Sequence, residues 1–346
     1  MNDSFPEKPE LDDAPPVVDA SEVALRYPQE PSRFLPTDLD SLLLFCVQHE
    51  ASDITLQTGD KVIADIHGRL HRISEHELSN SEVSELLNHI YGANGTAQIL
   101  SGRDVDTHYE IKPYRGQRFR FRVNATGCHV VGHDGIQITM RTIPIDPPYL
   151  KDMNLDPRLV RSLIPPQGIV VISGATGSGK STLLASIMRE ILETSHGKVL
   201  SYEAPIEFVY DNVSQPHASI AQHEIPANLP NFPAAVRNAL RRKPTYILVG
   251  EARDRETIAA VIDAALTGHT VYTTVHSNGV ADTIRRMISA FPAEERHSRA
   301  MDLIVLLRVV IWQTLLPSTD GKRVPLREWL IFNETVRKRL LRSDFD

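Results

Sequence analysis

A glycine-rich run at residues 174–181 (GATGSGKS) constrains this chain more than any other feature. It matches the pattern G-x-x-x-x-G-K-(S/T), in which a loop wraps its backbone N–H groups around phosphate oxygens. An apolar stretch typical of a buried strand precedes it (168–173, GIVVIS), and apolar residues at helical spacing follow it (181–193). The loop therefore opens a helix whose N-terminus favours anions. The sequence predicts an α/β domain that binds a nucleoside triphosphate.

The residue types of the loop predict their own roles. Lys180 is expected to reach the β- and γ-phosphates, and the Ser181 hydroxyl is expected to ligate Mg²⁺. ATP and Mg²⁺ are thus the expected ligands. The predicted nucleotide-binding positions are Gly174, Ala175, Thr176, Gly177, Ser178, Gly179, Lys180, Ser181 and Thr182.

Composition excludes several classes of protein. The chain has 346 residues, of which 41% are apolar, so two cores are the expectation. A net charge of -7 argues against stable nucleic-acid binding. The two cysteines, Cys46 and Cys128, are too few for a tetracysteine zinc site or a disulfide framework, which favours a reducing cytosol. The longest apolar stretch, 303–316, is short and interrupted by Arg308, so no transmembrane segment is expected.

The first half of the chain divides into a tail and a small domain. Residues 1–36 are rich in proline and acidic residues and predict a disordered tail. Residues 37–143 predict a mixed α+β domain that begins with a helix over 39–47, capped by Thr37 or Asp38. Within it, RFRFRV alternates strictly, which places three arginines on one face of a strand: Arg118, Arg120 and Arg122.

The second half predicts the nucleotide-binding domain. Clustered prolines over residues 144–166 indicate a linker. Strands and helices then alternate over residues 167–346, which predicts a parallel sheet covered by helices, with further helices at the C-terminus.

Three polar side chains follow predicted parallel strands. Glu251 ends the apolar run 246–251, and such a strand in an open α/β sheet delivers its carboxylate to the ligand edge. We expect Glu251 to activate the attacking water and to hold Mg²⁺ through a water molecule. Glu203 ends another strand and can approach the magnesium shell. His276 follows a third strand and is expected to sense the γ-phosphate or to hold the attacking water.

Four motifs in this order resemble the secretion-ATPase superfamily of PilT-, GspE- and VirB11-type motors: GATGSGKS, EAPIEF, ILVGEARD and GHTVYTTVHS. The resemblance extends from about residue 37 to the end. Three further stretches resemble the subgroup of DotB- and TraJ-type ATPases of type IVB secretion and plasmid transfer: ASDITLQTGDKVIADIHGRL, RFRFRVNATG and HDGIQITMRTIP.

The resemblance implies a RecA-like P-loop NTPase domain preceded by a small PAS-like domain, assembled as a homohexamer with nucleotide between the two domains. It places Arg120, Arg122 and Arg141 at positions that meet phosphates across domain or subunit boundaries. It also implies a cytoplasmic protein at the cytoplasmic face of the inner membrane, with secretion or transfer machinery proteins as partners. The implied activity is hydrolysis of ATP to ADP and phosphate, coupled to domain closure.

Two departures from the superfamily pattern predict slow turnover. Ala204 stands where an aspartate usually follows the glutamate of the acidic box, and Thr245 stands where another aspartate is usual. Three alternatives to the secretion or conjugation motor stay open at this point. They are a type IV pilus-type retraction or assembly ATPase, a nucleic-acid translocase and a nucleotide-gated scaffold.

Overall fold

The computed structural model describes residues 25–115, 117–143, 146–318 and 323–342, which form two separate β-sheets with helices packed on them. Residues 1–24 of the predicted tail lie outside the described residues.

The first sheet has six antiparallel strands in the order β3-β2-β1-β6-β5-β4. One face packs on the helices around a core that includes Leu39, Leu86 and Phe121. The arginines of β5 lie on the other face, as the alternation predicts. The elements are α1 (Pro36–Gln48), β1 (Ala51–Gln57), β2 (Ile63–Ile66), β3 (Arg69–Arg72), α2 (Asn80–Tyr91), α3 (Gly95–Leu100), β4 (Val105–Tyr114), β5 (Gln117–Val130) and β6 (His133–Ile143).

The first helix begins earlier than predicted. Leu35 is its N-cap, and Asp38, in the first turn, accepts a hydrogen bond from the Leu35 N–H at 2.8 Å. Neither Thr37 nor Asp38 is therefore the cap. Pro36 fits the first helical position because the N–H that proline lacks has no partner within a helix there.

The prediction of disorder is wrong for residues 25–36. Tyr27 and Phe34 are 5% and 1% exposed and belong to the core of the first sheet. Glu82 on α2 fixes this segment, since its Oε1 accepts the Phe34 N–H at 2.8 Å while its Oε2 accepts the Ser79 N–H at 2.8 Å. The burial of two aromatic rings stabilises this segment in a folded conformation, although its composition is typical of disorder.

Glu82 is expected to stabilise the first domain strongly. Burial alone would raise the pKa of Glu82, but hydrogen bonds from Ser79, Phe34 and His76 lower it from 4.5 to about 2. We expect Glu82→Ala to reduce the free energy of unfolding by about 3 kcal/mol at neutral pH. A carboxylate with a lowered pKa stabilises fully above pH 4.5, and this contribution is lost as the pH falls towards 2.

Urea unfolding measured between pH 2 and 7 tests this expectation. Glu85→Ala is the control. Glu85 on the same helix forms only a half-exposed ion pair with Arg33, and such a pair contributes at most about 1 kcal/mol to the free energy of unfolding. Equal losses of stability in the two variants would contradict the role of Glu82.

The second sheet has seven strands in the order β13-β12-β7-β11-β10-β8-β9. All neighbours are parallel except the β12–β13 pair. Helices cover both faces, so the predicted α/β arrangement is confirmed. Its elements are α4 (Pro157–Ser162), β7 (Gly168–Ser173), α5 (Lys180–Thr194), β8 (Gly197–Glu203), β9 (Ala218–Glu224), α6 (Phe232–Ala239), β10 (Tyr246–Val249), α7 (Arg255–Leu266), β11 (Thr270–Val275), α8 (Val280–Ser289), α9 (Ala293–Leu306), β12 (Leu307–Pro317), β13 (Arg323–Ile331) and α10 (Glu334–Leu340).

The predicted linker, residues 144–166, is structured over the residues that the structure describes. It contains a 3₁₀ helix (Leu150–Met153) and α4, and its Leu150, Leu159 and Leu163 are buried in a core of the second sheet. Proline is tolerated because Pro157 occupies the first turn of α4.

The C-terminal region also differs from the predicted run of helices. An antiparallel pair, β12 and β13, lies between α9 and α10. The apolar stretch 303–316 is divided between the end of α9 and β12, where Val309, Val310 and Ile311 favour a strand. Within the described part of the chain, no helix is long and apolar enough to cross a membrane.

Candidate active site

Four neighbouring parallel strands bring the predicted chemical groups to one edge of the second sheet. The strands β7, β11, β10 and β8 are adjacent and run in the same direction. The glycine-rich loop follows β7, His276 follows β11, Glu251 comes shortly after β10 and Glu203 ends β8. Sequence reasoning predicts this convergence because carboxyl ends of parallel strands share one edge.

The loop has the backbone that phosphate binding requires. Gly179 adopts φ +82° as the N-cap of α5, and Gly174 adopts φ +147°, where an added Cβ would collide with the backbone carbonyl of Gln313. Lys180 is the first residue of α5, and its Nζ donates to the carbonyls of Gly174 at 3.0 Å and Ala175 at 2.9 Å. The Ser178 hydroxyl is buried without a hydrogen-bond partner. An anion in the cleft therefore finds a lysine and a helix N-terminus together.

A cavity of about 340 Å³ lies beside the loop, a size typical of small-ligand sites. Arg122 of the first sheet lines it together with residues of the second sheet, so it is a cleft between the two sheets. Burial lowers the pKa of Lys180 in this cleft, although the charges of Glu251 and Glu207 oppose that effect. The polar lining residues include Arg122, Thr176, Lys180, Ser181, Glu203, Glu207, Glu251, Arg253, Thr274 and His276.

The two predicted acidic residues occupy different environments. Glu251 lies 3.6 Å from His276, measured between Oε1 and Nε2. Glu203 accepts a hydrogen bond from the Ser201 hydroxyl at 2.7 Å and from the Gln222 amide at 3.4 Å. Burial raises the pKa of Glu203 to about 7, and the charge of Glu207 acts in the same direction. The Glu203 carboxyl therefore changes protonation near neutral pH.

The three arginines predicted to bind phosphate lie in three different environments in the structure. Arg122 lines the cavity and donates to Asp106 at 3.0 Å. Arg120 is 5% exposed, its Nε has no hydrogen-bond partner, and burial lowers its pKa against the charges of three nearby glutamates. Arg141 is largely exposed, pairs with Asp53 at 2.8 Å and does not line the cavity. Its predicted contact with phosphate stays a prediction.

Contacts between the domains were missed by the sequence reasoning. Arg118 donates to Asp211 at 2.6 Å, and His108 lies 3.1 Å from Glu224, whose pKa is lowered despite burial by that histidine and by Arg120. No local sequence signal pairs these groups, because each contact joins positions far apart in the chain.

The predicted nucleotide-binding positions divide among several places. Thr176, Gly177, Lys180 and Ser181 line the cleft, whereas Ala175 and Ser178 face a second cavity on the other side of the loop. Gly174 and Gly179 shape the backbone, and Thr182 is half-buried in the first turn of α5. Glu207 and Arg253 also line the cleft and were not assigned roles. Their signal was their place inside the EAPIEF and ILVGEARD motifs.

The model of the type II/IV secretion system protein family matches residues 29–323. The chain belongs to this family of ATPases. Among its relatives, the type IV pilus retraction ATPase PilT of Pseudomonas aeruginosa is 34% identical over 307 residues, which cover 89% of this chain and 86% of PilT.

Solved structures show the same ATPase fold. The ATPase DotB of Legionella pneumophila is 55% identical, with a TM-score of 0.81 over 93% of this chain and 88% of DotB. The pilus retraction motor PilT with bound ADP is 29% identical, with a TM-score of 0.77 over 88% of this chain and 85% of PilT. The predicted resemblance to secretion ATPases of the DotB and PilT type is thereby confirmed.

Proposed function

We propose that this chain hydrolyses ATP to ADP and phosphate in the cleft between its two domains, and that six copies form a ring. The ring would energise a bacterial type IVB secretion or conjugative plasmid-transfer apparatus from the cytoplasmic face of the inner membrane. One observation carries the proposal: the glycine-rich loop, three strand-end side chains and Arg122 from the other sheet line a single cavity. In this proposal the first domain is PAS-like and the second is RecA-like.

The site fits its substrate and Mg²⁺. Lys180 and the loop N–H groups would hold the phosphates. Ser181 would ligate Mg²⁺, and Glu251 would hold it through water. When bound, Mg²⁺ neutralises charge that develops on the phosphates. Among the described residues no cluster of three or more His, Cys, Asp or Glu forms a metal site, which suits an ion that binds through few protein groups, water and substrate phosphates.

Glu203 and Glu251 are assigned different roles in hydrolysis. The sequence predicts Glu251 as the water activator. In the structure Glu251 lines the cleft together with Lys180 and lies 3.6 Å from His276, on the side of the glycine-rich loop. Glu203 is half-buried, and loss of solvation raises its pKa to about 7, a value suited to a general base at neutral pH. We therefore assign proton acceptance from the attacking water to Glu203, and orientation of the water and the phosphates to His276 and Glu251.

The pH dependence of kcat/KM is expected to report Glu203. Because its pKa is raised to about 7, the carboxyl is protonated below that pH and cannot accept a proton, so kcat/KM should fall as the pH drops through 7. The residual activity of Glu203→Gln should lack this acid limb, whereas Glu251→Gln should keep it at a lower rate. An unchanged limb in Glu203→Gln would contradict the assignment.

Domain closure would bring the arginine face of β5 to the substrate. Arg122 already lines the cleft, and Arg120 on the same face of β5 is buried with an unpartnered Nε. The contacts of Arg118 with Asp211 and of His108 with Glu224 join the domains beside the cleft. An arginine that reaches the γ-phosphate stabilises the transition state. Arg141 lies away from this cleft. It would instead contact phosphate bound in the cleft of a neighbouring subunit.

A pilus-type retraction ATPase is the second candidate, since PilT matches most of this chain. Phosphate release measured with and without Mg²⁺ tests the activity common to both candidates. Expression in a strain that lacks its type IVB secretion ATPase and in a strain that lacks PilT separates them. Restored effector transfer supports the secretion function, and restored twitching supports the pilus function.

A further inference from the structure

A buried glutamine outside every nucleotide-binding motif contacts the glycine-rich loop. Gln313 on β12 is 3% exposed, and its Nε2 donates to the backbone carbonyl of Ser178 at 2.6 Å. A Cβ added at Gly179 would lie 2.8 Å from the same Nε2, and one added at Gly174 would meet the Gln313 backbone carbonyl. The loop is therefore packed closely against this one residue.

This contact fixes the direction of a loop N–H group. The carbonyl of Ser178 and the N–H of Gly179 belong to one planar trans peptide unit, so they point in opposite directions. When Gln313 holds the carbonyl, it aims the Gly179 N–H away from itself. A phosphate-binding loop depends on such backbone N–H directions.

Gln313 is itself held from the opposite strand. Arg327 on β13 is its register partner, and Arg327 Nε donates to Gln313 Oε1 at 2.7 Å. Arg327 Nη1 donates to the backbone carbonyl of Met153 at 2.9 Å. Met153 ends the 3₁₀ helix that lies between the two sheets in the chain. Burial of Arg327 lowers its pKa, so this guanidinium is partly removed from water while it holds both groups.

We propose that Gln313 and Arg327 are positioning residues that hold the glycine-rich loop ready for nucleotide and couple its conformation to the segment joining the two domains. The inference rests on the proposed function, in which this loop binds ATP.

Gln313→Leu tests the positioning role. We expect the Kd for fluorescent ADP and the KM for ATP to rise about tenfold, the change expected for the loss of one hydrogen bond. The value of kcat should stay within about twofold, because Glu203, Glu251 and His276 are untouched. Gln98→Leu is the control, since Gln98 also donates to a backbone carbonyl, that of Asp104, and accepts from Tyr91, but far from the loop.

A merely structural role would give another result. If Gln313→Leu only destabilises the fold, the apparent kcat should fall with the active fraction while KM and Kd stay at parental values, which would overturn the inference. Gln313→Glu is the second variant if the leucine variant does not fold. It keeps an acceptor for Arg327 but has no N–H to donate to Ser178, so its Kd should also rise. Parental affinity in Gln313→Glu would contradict the inference.

A double-mutant cycle tests the coupling to Arg327. Arg327→Met should raise the Kd about threefold, and the double variant should bind within about twofold of Gln313→Leu alone, because both changes interrupt one chain of contacts. Effects that multiply independently would overturn the coupling.

Parental protein that binds nucleotide no better than Lys180→Ala would refute the proposed function and this inference with it. Parental binding that is unaffected in Gln313→Leu and Gln313→Glu would refute the inference alone.

Discussion

Replacing Lys180 by alanine is expected to weaken ATP binding by about 100-fold or more. The Lys180 Nζ lies at the loop with two carbonyl partners, from Gly174 and Ala175, and it can exchange these for phosphate oxygens without leaving the cleft. Loss of two charge-assisted hydrogen bonds corresponds to an effect of about this size. Isothermal titration with a slowly hydrolysed ATP analogue measures it directly.

Lys198→Ala is the matched control for Lys180→Ala. It removes the same charge, but the Lys198 Nζ donates to the carbonyl of Arg242 near the beginning of β8, at the opposite edge of the sheet from the loop. We expect parental affinity in this variant. Equal affinities in Lys180→Ala and the parental protein would place the nucleotide elsewhere.

Neutralising either strand-end glutamate is expected to stop hydrolysis while binding persists. Glu203→Gln and Glu251→Gln keep the size of the side chain, so ATP affinity should stay within about threefold in Glu203→Gln, and kcat should fall by about 10²- to 10⁴-fold in both. The two variants should differ in their need for metal. Because Glu251 is assigned to Mg²⁺ through water, only Glu251→Gln should require a higher Mg²⁺ concentration for half-maximal rate.

Single-turnover phosphate release at several Mg²⁺ concentrations separates these effects. Glu294→Gln, at an exposed position in the first turn of α9, is the control and should hydrolyse ATP at the parental rate. A parental rate in Glu251→Gln would remove Glu251 from the mechanism. If Glu203→Gln instead requires more Mg²⁺, Glu203 would be the residue that holds Mg²⁺ through water, and Glu251 would accept the proton.

The convergence of the candidate groups at one sheet edge could be predicted from the sequence because each group belongs to a local pattern. A strand, a glycine-rich loop and a helix are contiguous, and Glu203, Glu251 and His276 each end or follow an apolar strand. The parallel order of those strands then brings the three side chains together. The strict alternation of β5 likewise predicted that Arg118, Arg120 and Arg122 share a face.

What the sequence left undetermined depends on long-range packing. Arg141 pairs in register with Arg122, yet Arg141 is held by Asp53 outside the cleft, and only the docking of the two domains distinguishes the two arginines. Gln313 contacts Ser178 across 135 positions of sequence, so no motif reveals it. Tyr27 and Phe34 are buried by a domain that follows them, and a proline-rich composition does not show this.

The ring motor is tested by measuring specific ATPase activity across protein concentration together with the mass of the particle in solution. Light scattering would be recorded with and without a slowly hydrolysed ATP analogue and Mg²⁺. We expect a six-copy particle, with activity that rises more than linearly with concentration as that particle forms. A monomer that hydrolyses ATP at constant specific activity would contradict the ring motor.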